Sequence, residues 1–459
     1  MAGGSDGAAD GAADGAGTPD RRTLRRAIAA SAIGNATEWF DYGVYAYVAV
    51  HIGKVFFPSA DPTASMLGSL LVFAVSFLIR PLGGLVWGPL GDRIGRQRVL
   101  ATTILLMAAV TFGIGLLPGY ATIGIAAPIG LIVLRMIQGF STGGEYGGAA
   151  TFMAEYAPDR RRGLFGSFLE VGSITGFTLG ALIVLLTEQI VGPAAMTEWG
   201  WRLPFLFAAP LGLIGLYLRR RLDDTPVFRE LAAEGRVERE TRTQFRDLAR
   251  YWRPLLLLAG LVVMLNVANY TLLAYMPTYL EAEIGLSSSA SLTLIIIGQL
   301  VMVALLPLAG ALSDRFGRKK LWWVSAAGLF VLAIPLYQLM ALGFGQAVVA
   351  FAVLGLLYVP QLATISAMFP AMFPTHVRYA GFAIAYNVST ALFGGTTPAV
   401  NQFLIDRTGD PLVPAYYMMA ACVVGAVALR FVPETRGCSL RGRGLPGVDN
   451  KPPPLVGTR

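Results

Sequence analysis

The chain has 459 residues, of which 55% are hydrophobic and only 14% are charged, with a mean hydropathy of +0.59 and a net charge of +8. A soluble domain carries about a quarter of its residues as charges, so this composition excludes an ordinary soluble enzyme and indicates a protein surrounded mostly by lipid. The positive charge lies in short clusters between apolar runs, which is typical of membrane loops rather than of a nucleic-acid surface. The two cysteines form no disulfide framework, and no metal site is expected.

The chain begins with a low-complexity Gly/Ala/Asp segment, residues 1–20, which lacks the basic start and apolar core of a signal peptide. We predict a disordered cytoplasmic tail there. A helix needs about 20 apolar residues to cross the hydrocarbon core of a bilayer. Twelve later stretches qualify, at roughly residues 27–50, 64–88, 99–117, 121–150, 163–190, 202–219, 254–280, 289–312, 321–341, 346–370, 380–404 and 413–432. The sequence therefore predicts an all-α membrane protein with twelve transmembrane helices.

The longest charged stretch lies between the sixth and seventh predicted helices. It predicts a cytoplasmic linker at residues 220–253 between two six-helix bundles, residues 21–219 and 254–436, with a second disordered tail at 437–459. Basic clusters recur in the loops after the second, fourth, sixth, eighth and tenth helices, while the opposite loops contain few. Because cytoplasmic loops are enriched in Lys and Arg, we expect both termini to be cytoplasmic.

One loop occurs twice: residues 88–98 (GPLGDRIGRQR) recur as residues 310–320 (GALSDRFGRKK). A repeat at this distance indicates two homologous halves. The acid of each copy can accept hydrogen bonds from the N-terminus of a neighbouring helix, where negative charge is favoured, although the loops could also serve only to fix orientation. The residues expected to close the cytoplasmic side are Asp92, Arg93, Arg96, Glu155, Arg162, Asp314, Arg315 and Arg318, with Glu155 as a partner of the Asp92 and Arg162 cluster.

The pattern Gly-x-Leu-x-Asp-Arg-x-Gly-Arg in both loops resembles the signature loop of the major facilitator superfamily. Residues 34–43 (GNATEWFDYG), 77–84 (FLIRPLGG) and 138–146 (QGFSTGGEY) resemble its metabolite:proton symporter family. In the second half, residues 270–277 and 370–379 are similar to the subgroup of bacterial carriers of proline and glycine betaine. The resemblance implies two bundles that alternate between inward-open and outward-open states around a central substrate.

Ionisable residues inside membrane helices cost about 2.5–3.5 kcal/mol each on insertion scales, so by default they face the protein interior. The predicted spans contain a short set of them, all in the N-terminal half: Glu38, Asp41, Arg80, Arg135, Glu145 and Glu170. We expect these residues to carry the proton or to contact substrate. The alternative is static ion pairs, for example Asp41 with Arg80 and Glu170 with Arg135.

Aromatic faces bind quaternary ammonium groups, and an arginine can hold the carboxylate of the same zwitterion. The residues that could line such a cavity are Tyr42, Tyr45, Asn266, Tyr270, Tyr275 and Asn387, with Trp39, Tyr386 and Phe393 as further aromatic candidates. Each of these aromatic residues could instead serve packing or the interfacial belt.

These features favour a proton-coupled symporter that takes up a small zwitterion such as proline, glycine betaine or ectoine. The nearest alternative is a proton symporter of an organic acid, and a non-transporting membrane receptor is an alternative of another class. No nucleophile with a base is present for an enzyme, and no cofactor is expected. The expected partners are a small-molecule substrate, protons and lipid, without nucleic acid. The protein is expected to act as a monomer in the bacterial inner membrane.

Overall fold

The computed structural model of the chain describes residues 21–94, 96–220, 248, 250–374 and 377–440. Every element in these residues is helical, and no strand occurs among them. The tail expected at residues 1–20, most of the expected linker at 220–253 and residues 441–459 lie outside the described part. We refer to residues 21–220 as the N-terminal half and to residues 250–440 as the C-terminal half.

Long apolar runs form helices because a helix satisfies all backbone hydrogen bonds within the segment. The helices of the N-terminal half are α1 Arg21–Tyr47, α2 Ala49–Phe56, α3 Pro62–Ile94, α4 Arg96–Leu116, α5 Tyr120–Ile123, α6 Ala126–Thr142, α7 Glu145–Tyr156, α8 Arg162–Val191, α9 Pro193–Ala195, α10 Arg202–Leu206 and α11 Ala208–Arg220. A 3₁₀ turn at Asp159–Arg161 precedes α8, and a π-helical segment, Met196–Gly200, precedes α10.

The C-terminal half begins its helices after the residues that are not described. Its helices are α12 Trp252–Asn269, α13 Met276–Ala282, α14 Ser288–Phe316, α15 Arg318–Met340, α16 Phe344–Met368, α17 Arg378–Phe393, α18 Thr397–Thr408 and α19 Val413–Phe431. A π-helical segment, Tyr270–Tyr275, joins α12 to α13, and a 3₁₀ turn, Pro370–Met372, follows α16. Such π segments are frequent at functional sites.

Seven helical segments among the described residues are long and apolar enough to cross a membrane. They are Pro62–Trp87, Asp159–Val191, Trp252–Ala282, Ser288–Phe316, Arg318–Met340, Phe344–Met368 and Val413–Phe431. The twelve stretches predicted from hydropathy are all helical over most of their length, but some are broken. The stretch at 121–150, for example, is divided at Gly143 and Gly144 into α6 and α7.

The second copy of the repeated loop is a tight turn between α14 and α15. Gly317 has φ +100°, a backbone conformation that other residues rarely adopt, and this lets α15 begin directly at Arg318. The corresponding Gly95 between α3 and α4 lies outside the described residues.

The two halves contact each other along both edges of their interface. At one edge, which we call the loop edge, residues 154–164 of the N-terminal half meet residues 310–319 and 432–440 of the C-terminal half. At the opposite edge, Gln189 Nε2 donates to Ser289 Oγ at 3.0 Å and Gln299 Nε2 donates to Tyr47 Oη at 2.8 Å. The space between the halves is therefore closed at both ends.

Candidate functional site

A small cavity lies between the two halves, and we call it the interface cavity. It has about 260 Å³ of empty volume, counted with the space that opens to its surroundings. Its lining comes from both halves: Trp39, Tyr146, Glu170, Ser173, Phe177, Leu265, Asn266, Asn269, Tyr358, Leu362, Ile365 and Tyr386. Aromatic and amide groups dominate this lining, and Glu170 is its single carboxylate.

Glu170 of α8 is held by hydrogen bonds from two sides. Tyr146 Oη donates to Glu170 Oε1 at 2.6 Å, and Ser173 Oγ donates to Oε2 at 2.8 Å. Asn35 of α1 supports this arrangement, since its Nδ2 donates to the Leu169 carbonyl at 3.0 Å and to Ser173 Oγ. The Glu170 side chain is buried, and its direction into the cavity is set by these contacts.

Two glycines of α8 bring α1 and α8 close enough for those hydrogen bonds. A Cβ atom at Gly172 would overlap the Ala32 carbonyl oxygen, and a Cβ at Gly176 would overlap the Ala36 carbonyl oxygen. Small residues at such spacing let membrane helices pack backbone to backbone. The glycine stripe of α8 therefore positions Glu170 against α1.

The C-terminal half supplies neutral polar groups to the interface cavity. Asn266 Nδ2 donates to Thr390 Oγ1 at 2.9 Å, and Tyr358 Oη donates to Asn269 Oδ1 at 2.8 Å. Because Tyr358 occupies Oδ1, the Asn269 side chain can offer the N–H groups of Nδ2 as donors. From α17, the Tyr386 ring stacks on Tyr146 across the interface, with ring centroids 4.6 Å apart.

A second cavity lies inside the N-terminal half, and we call it the carboxylate cavity. It has about 220 Å³ of empty volume and lies between α1, α4 and α7. Glu38, Asp41 and Glu145 all line it, and each is at most 6% exposed. Glu38 and Asp41 share one face of α1, as their spacing predicts, and the helix break at Gly143 and Gly144 places Glu145 at the start of α7.

Two buried arginines flank the carboxylate cavity. Arg80 Nη2 donates to Glu38 Oε1 at 3.1 Å, and its guanidinium lies 5.6 Å from the centroid of the Tyr42 ring. Arg135 donates to Gln138 and, at 3.2 Å, to Ser76.

The static pairs considered from sequence therefore do not form among the described residues. Arg80 bonds Glu38 rather than Asp41, and Arg135 bonds Gln138 and Ser76 rather than Glu170.

The six main cavity candidates from the sequence are separated by the structure. Asn266 lines the interface cavity. Tyr42 shares a hydrogen bond with Thr142, and Tyr45 donates to the Ser69 carbonyl, so both lie within the N-terminal half. Among the further aromatic candidates, Trp39 and Tyr386 line the interface cavity, whereas Phe393 is partly exposed and is not part of the lining.

Tyr270, Tyr275 and Asn387 take other positions. Tyr270 packs across the interface, with its ring centroid 6.2 Å from that of Trp39 and 5.1 Å from that of Phe77. Tyr275 donates to Gln402 within the C-terminal half.

Asn387 contacts the break in the fourth predicted span. It donates to the Gly143 carbonyl at 2.9 Å, and Tyr379 donates to the Gly144 carbonyl at 3.1 Å. The C-terminal half thus satisfies carbonyls that the break between α6 and α7 leaves free.

At the loop edge, Asp314 of the second repeat caps a helix of the other half. Its two carboxylate oxygens accept hydrogen bonds from the backbone N–H groups of Gly163 and Leu164, at 2.8 and 2.9 Å. These N–H groups belong to the first turn of α8, where negative charge is favoured. Arg318 forms a salt bridge with Asp314 at 3.5 Å, whereas Arg315 is exposed.

Glu155 pairs with a different residue from the one expected. Arg378 Nη1 of α17 donates to Glu155 Oε1 at 3.0 Å, so the pair joins the two halves. Arg162, the expected partner, donates to Asp159 and to the Ala154 carbonyl instead. The side chains of Asp92, Arg93 and Arg96 lie outside the described part, so their expected role at this edge stays a prediction.

Residues 434–440 run across the loop edge as an ordered strap. Arg318 donates to the Thr435 carbonyl, Arg162 to the Cys438 carbonyl at 2.9 Å and Arg378 to the Leu440 carbonyl at 2.8 Å. We expected a disordered tail from residue 437, but the described chain stays packed to Leu440. Burial raises the pKa of the Cys438 thiol.

The Leu440 side chain takes part in a small apolar contact between the two halves. It packs with Ala154 of the N-terminal half and Ala371 of the C-terminal half. The sequence carries little signal for the strap, because its contacts with Arg162, Arg318 and Arg378 are largely made by backbone carbonyls.

Four polar residues of the lining were not among the cavity candidates from the sequence: Tyr146, Ser173, Asn269 and Tyr358. Two of them lie three residues after a residue that was predicted for the site: Ser173 follows Glu170, and Asn269 follows Asn266. Residues three apart share a helix face, so this spacing could have identified them.

Comparison with known proteins agrees with this architecture. The chain matches the model of the Major Facilitator Superfamily over residues 31–396 and, in an overlapping match, over residues 299–455. It is 46% identical over 436 residues to a proline/betaine transporter of Escherichia coli strain K12. That alignment covers 92% of this chain and 86% of the transporter. It is 45% identical over 437 residues to a glycine betaine/proline/ectoine/pipecolic acid transporter of Dickeya dadantii, with the same two coverages.

An ectoine/proline transporter of Corynebacterium glutamicum is 43% identical over 443 residues, covering 94% of this chain and 88% of that protein. Among solved structures, the proton:xylose symporter XylE bound to 6-bromo-6-deoxy-D-glucose superimposes with a TM-score of 0.72 at 18% identity, covering 94% of this chain and 99% of that one. A partially occluded inward-open form of XylE from Escherichia coli gives a TM-score of 0.71, also at 18% identity, over 90% and 99% of the two chains. At this identity the likeness concerns the fold.

Proposed function

Because the chain belongs to the major facilitator superfamily, we propose that it takes up a small zwitterionic solute, such as proline, glycine betaine or ectoine, together with protons. The named relatives at 43–46% identity carry solutes of this class. The observation that carries the proposal is the interface cavity, whose lining is shared by the two halves. A solute held there can be exposed first to one side and then to the other as the halves rock.

The chemistry of the interface cavity favours a zwitterion. Tyrosine and tryptophan faces attract quaternary ammonium groups, and Trp39, Tyr146, Tyr358 and Tyr386 supply such faces. The amides of Asn266 and Asn269 can donate to a carboxylate.

The cavity offers less to an organic acid. Its lining, as far as the described residues show it, contains no arginine or lysine. A di- or tricarboxylate would therefore lack a cationic partner, which leaves the zwitterion as the better-supported substrate class.

We assign the proton to the carboxylate cavity. Glu38, Asp41 and Glu145 line it together, and none of the three is among the residues that line the interface cavity. Asp41 Oδ1 is buried and has no hydrogen-bond partner among the described residues, so a proton can bind there without displacing another donor.

For the membrane we propose twelve crossings in two six-helix bundles, residues 21–219 and 254–436, with the linker at 220–253 and both termini on the cytoplasmic side. The loop edge then faces the cytoplasm, where its basic residues follow the positive-inside rule. The protein would act as a monomer in the bacterial inner membrane. With both edges closed, the structure corresponds to an occluded stage of the transport cycle.

The test is uptake into proteoliposomes. Radiolabelled glycine betaine and proline are supplied with and without an inward proton gradient, beside succinate and shikimate, with protein-free liposomes as the control. We expect gradient-dependent uptake of the zwitterions alone, abolished by a protonophore. Uptake of succinate or shikimate in their place would overturn the assignment of the substrate class.

A further inference from the structure

We infer that Glu170 recognises the positively charged group of the transported zwitterion, within an aromatic box formed by Trp39, Tyr146, Tyr358 and Tyr386. The inference deepens the proposed function and rests on it. Glu170 is the one carboxylate in the lining of the interface cavity, and it is 2% exposed.

The hydrogen bonds of Glu170 match the acceptor-only pattern of an ionised carboxylate. An ionised carboxylate is acceptor-only, and both Glu170 oxygens accept, one from Tyr146 and one from Ser173. The Ser173 hydroxyl is itself turned toward Glu170, because it accepts from Asn35 Nδ2 on its other side. Each carboxylate oxygen retains a further lone pair for a ligand.

Glu170 has no resident cation. Glu38 pairs with Arg80 and Glu155 pairs with Arg378, but no salt bridge to Glu170 occurs among the described residues. A buried carboxylate without a partner carries a large desolvation cost. A bound ammonium group would offset that cost, and the interface cavity lies directly beside Glu170, which is part of its lining.

Aromatic side chains from both halves line the interface cavity together with Glu170. Tyr146 bonds Glu170 and stacks on Tyr386, while Trp39 and Tyr358 complete the lining. Rings facing a methylated ammonium and a carboxylate behind it give both the shape and the charge that a betaine presents. The amides of Asn266 and Asn269 are left for the substrate carboxylate.

The test uses two probes that separate the ends of glycine betaine. Tetramethylammonium carries the cation without the carboxylate, and 3,3-dimethylbutanoate has the shape of glycine betaine with a neutral carbon in place of nitrogen. Competition with radiolabelled glycine betaine is measured by scintillation proximity on purified wild-type protein. Tetramethylammonium should compete and 3,3-dimethylbutanoate should not; the reverse order would overturn the inference without any variant.

The variants Glu170→Gln, Glu170→Asp and Glu198→Gln sharpen the test, the last as a control at an exposed carboxylate. We expect Glu170→Gln to bind glycine betaine about ten- to a hundredfold more weakly and to accept 3,3-dimethylbutanoate as a competitor. Glu170→Asp keeps the charge and should keep the rejection.

If Glu170→Gln bound glycine betaine as tightly as wild type and still rejected 3,3-dimethylbutanoate, this inference would be overturned while the proposed function stood. The inference would also be overturned if Glu170→Gln lost proton-driven accumulation but bound glycine betaine as wild type does, because Glu170 would then be a proton carrier. Wild-type protein that binds no glycine betaine would overturn the proposed function and this inference with it.

Discussion

The two cavities handle charge in opposite ways. The carboxylate cavity contains three acids beside two buried arginines, all within the N-terminal half. The interface cavity has one acid, and its C-terminal wall is made of asparagine amides, tyrosines and aliphatic side chains. Breaking a buried ion pair costs about 3–5 kcal/mol. Because the central pair Glu38–Arg80 lies in one half, the halves can separate around the solute without breaking it.

The largest effect is expected from replacing Arg80, the cation that pairs with Glu38 of the carboxylate cavity. Arg80→Gln removes the guanidinium that forms a buried salt bridge with Glu38, at a cost of about 3–5 kcal/mol, so both thermal stability in detergent and solute uptake should fall sharply. Arg80→Gln combined with Glu38→Gln removes both charges and should recover most of the melting temperature. A single variant as stable as wild type would show that the pair carries no structural role.

The next largest effect concerns how α8 holds Glu170. In Gly176→Ala the new Cβ overlaps the Ala36 carbonyl oxygen, and such overpacking costs about 1–3 kcal/mol. We expect lower stability and weaker glycine betaine binding, because α8 moves away from α1. Gly345→Ala is the matched control, since a Cβ there meets nothing within 4 Å. Equal behaviour of the two variants in melting and binding assays would contradict the proposed packing.

The loop edge offers a test of how firmly the interface cavity is closed. Leu440→Asp places a charge between Ala154 and Ala371, so the strap should detach more often. In a Cys422→Ser background, maleimide labelling of Cys438 should become about tenfold faster if detachment costs about 1.4 kcal/mol less. An unchanged labelling rate would mean that Leu440 does not hold the strap in place.

The labelling of Cys438 should also depend on pH. Because burial raises the pKa of this thiol and the thiolate is the reactive form, the wild-type rate should keep rising above the pH at which an ordinary thiol levels off. In Leu440→Asp the exposed thiol should level off earlier. A wild-type profile identical to that of free cysteine would contradict the burial of the strap.

The smallest effect is expected away from both cavities. Tyr275→Phe removes one hydrogen bond to Gln402, worth about 0.5–1.5 kcal/mol, and should leave the affinity for glycine betaine unchanged. Tyr358→Phe, within the interface cavity, frees Asn269 and should weaken binding. A loss of affinity in Tyr275→Phe as large as that in Tyr358→Phe would place the substrate elsewhere.

The sequence predicted the helical fold and the buried charges because both follow from local rules. Apolar length gives the helices, and charge inside an apolar run indicates an interior position, as for Glu38, Asp41 and Glu170. The pairing of those charges was not predictable. Whether Arg80 bonds Glu38 or Asp41 depends on the rotation of α3 against α1, which hydropathy does not encode.

Contacts with backbone carbonyls could not be predicted from the sequence for a different reason. Asn387 bonds the Gly143 carbonyl, and Arg162 and Arg378 bond carbonyls of the strap. Any residue type can present a carbonyl, so no pattern of side chains marks these positions. The spacing of Glu170 with Ser173 was visible, by contrast, and would have located the wall of the interface cavity.

The most direct test of the central claim, that proton and solute occupy separate cavities, compares wild type with Asp41→Asn in proteoliposomes that contain a pH-sensitive dye. Addition of glycine betaine outside should acidify the lumen with wild-type protein. The Asp41→Asn variant should neither acidify the lumen nor accumulate solute against a gradient, yet should still exchange labelled for unlabelled glycine betaine. The separation of the two sites would be contradicted if Asp41→Asn acidified the lumen at the wild-type rate. It would also be contradicted if this variant lost both acidification and exchange.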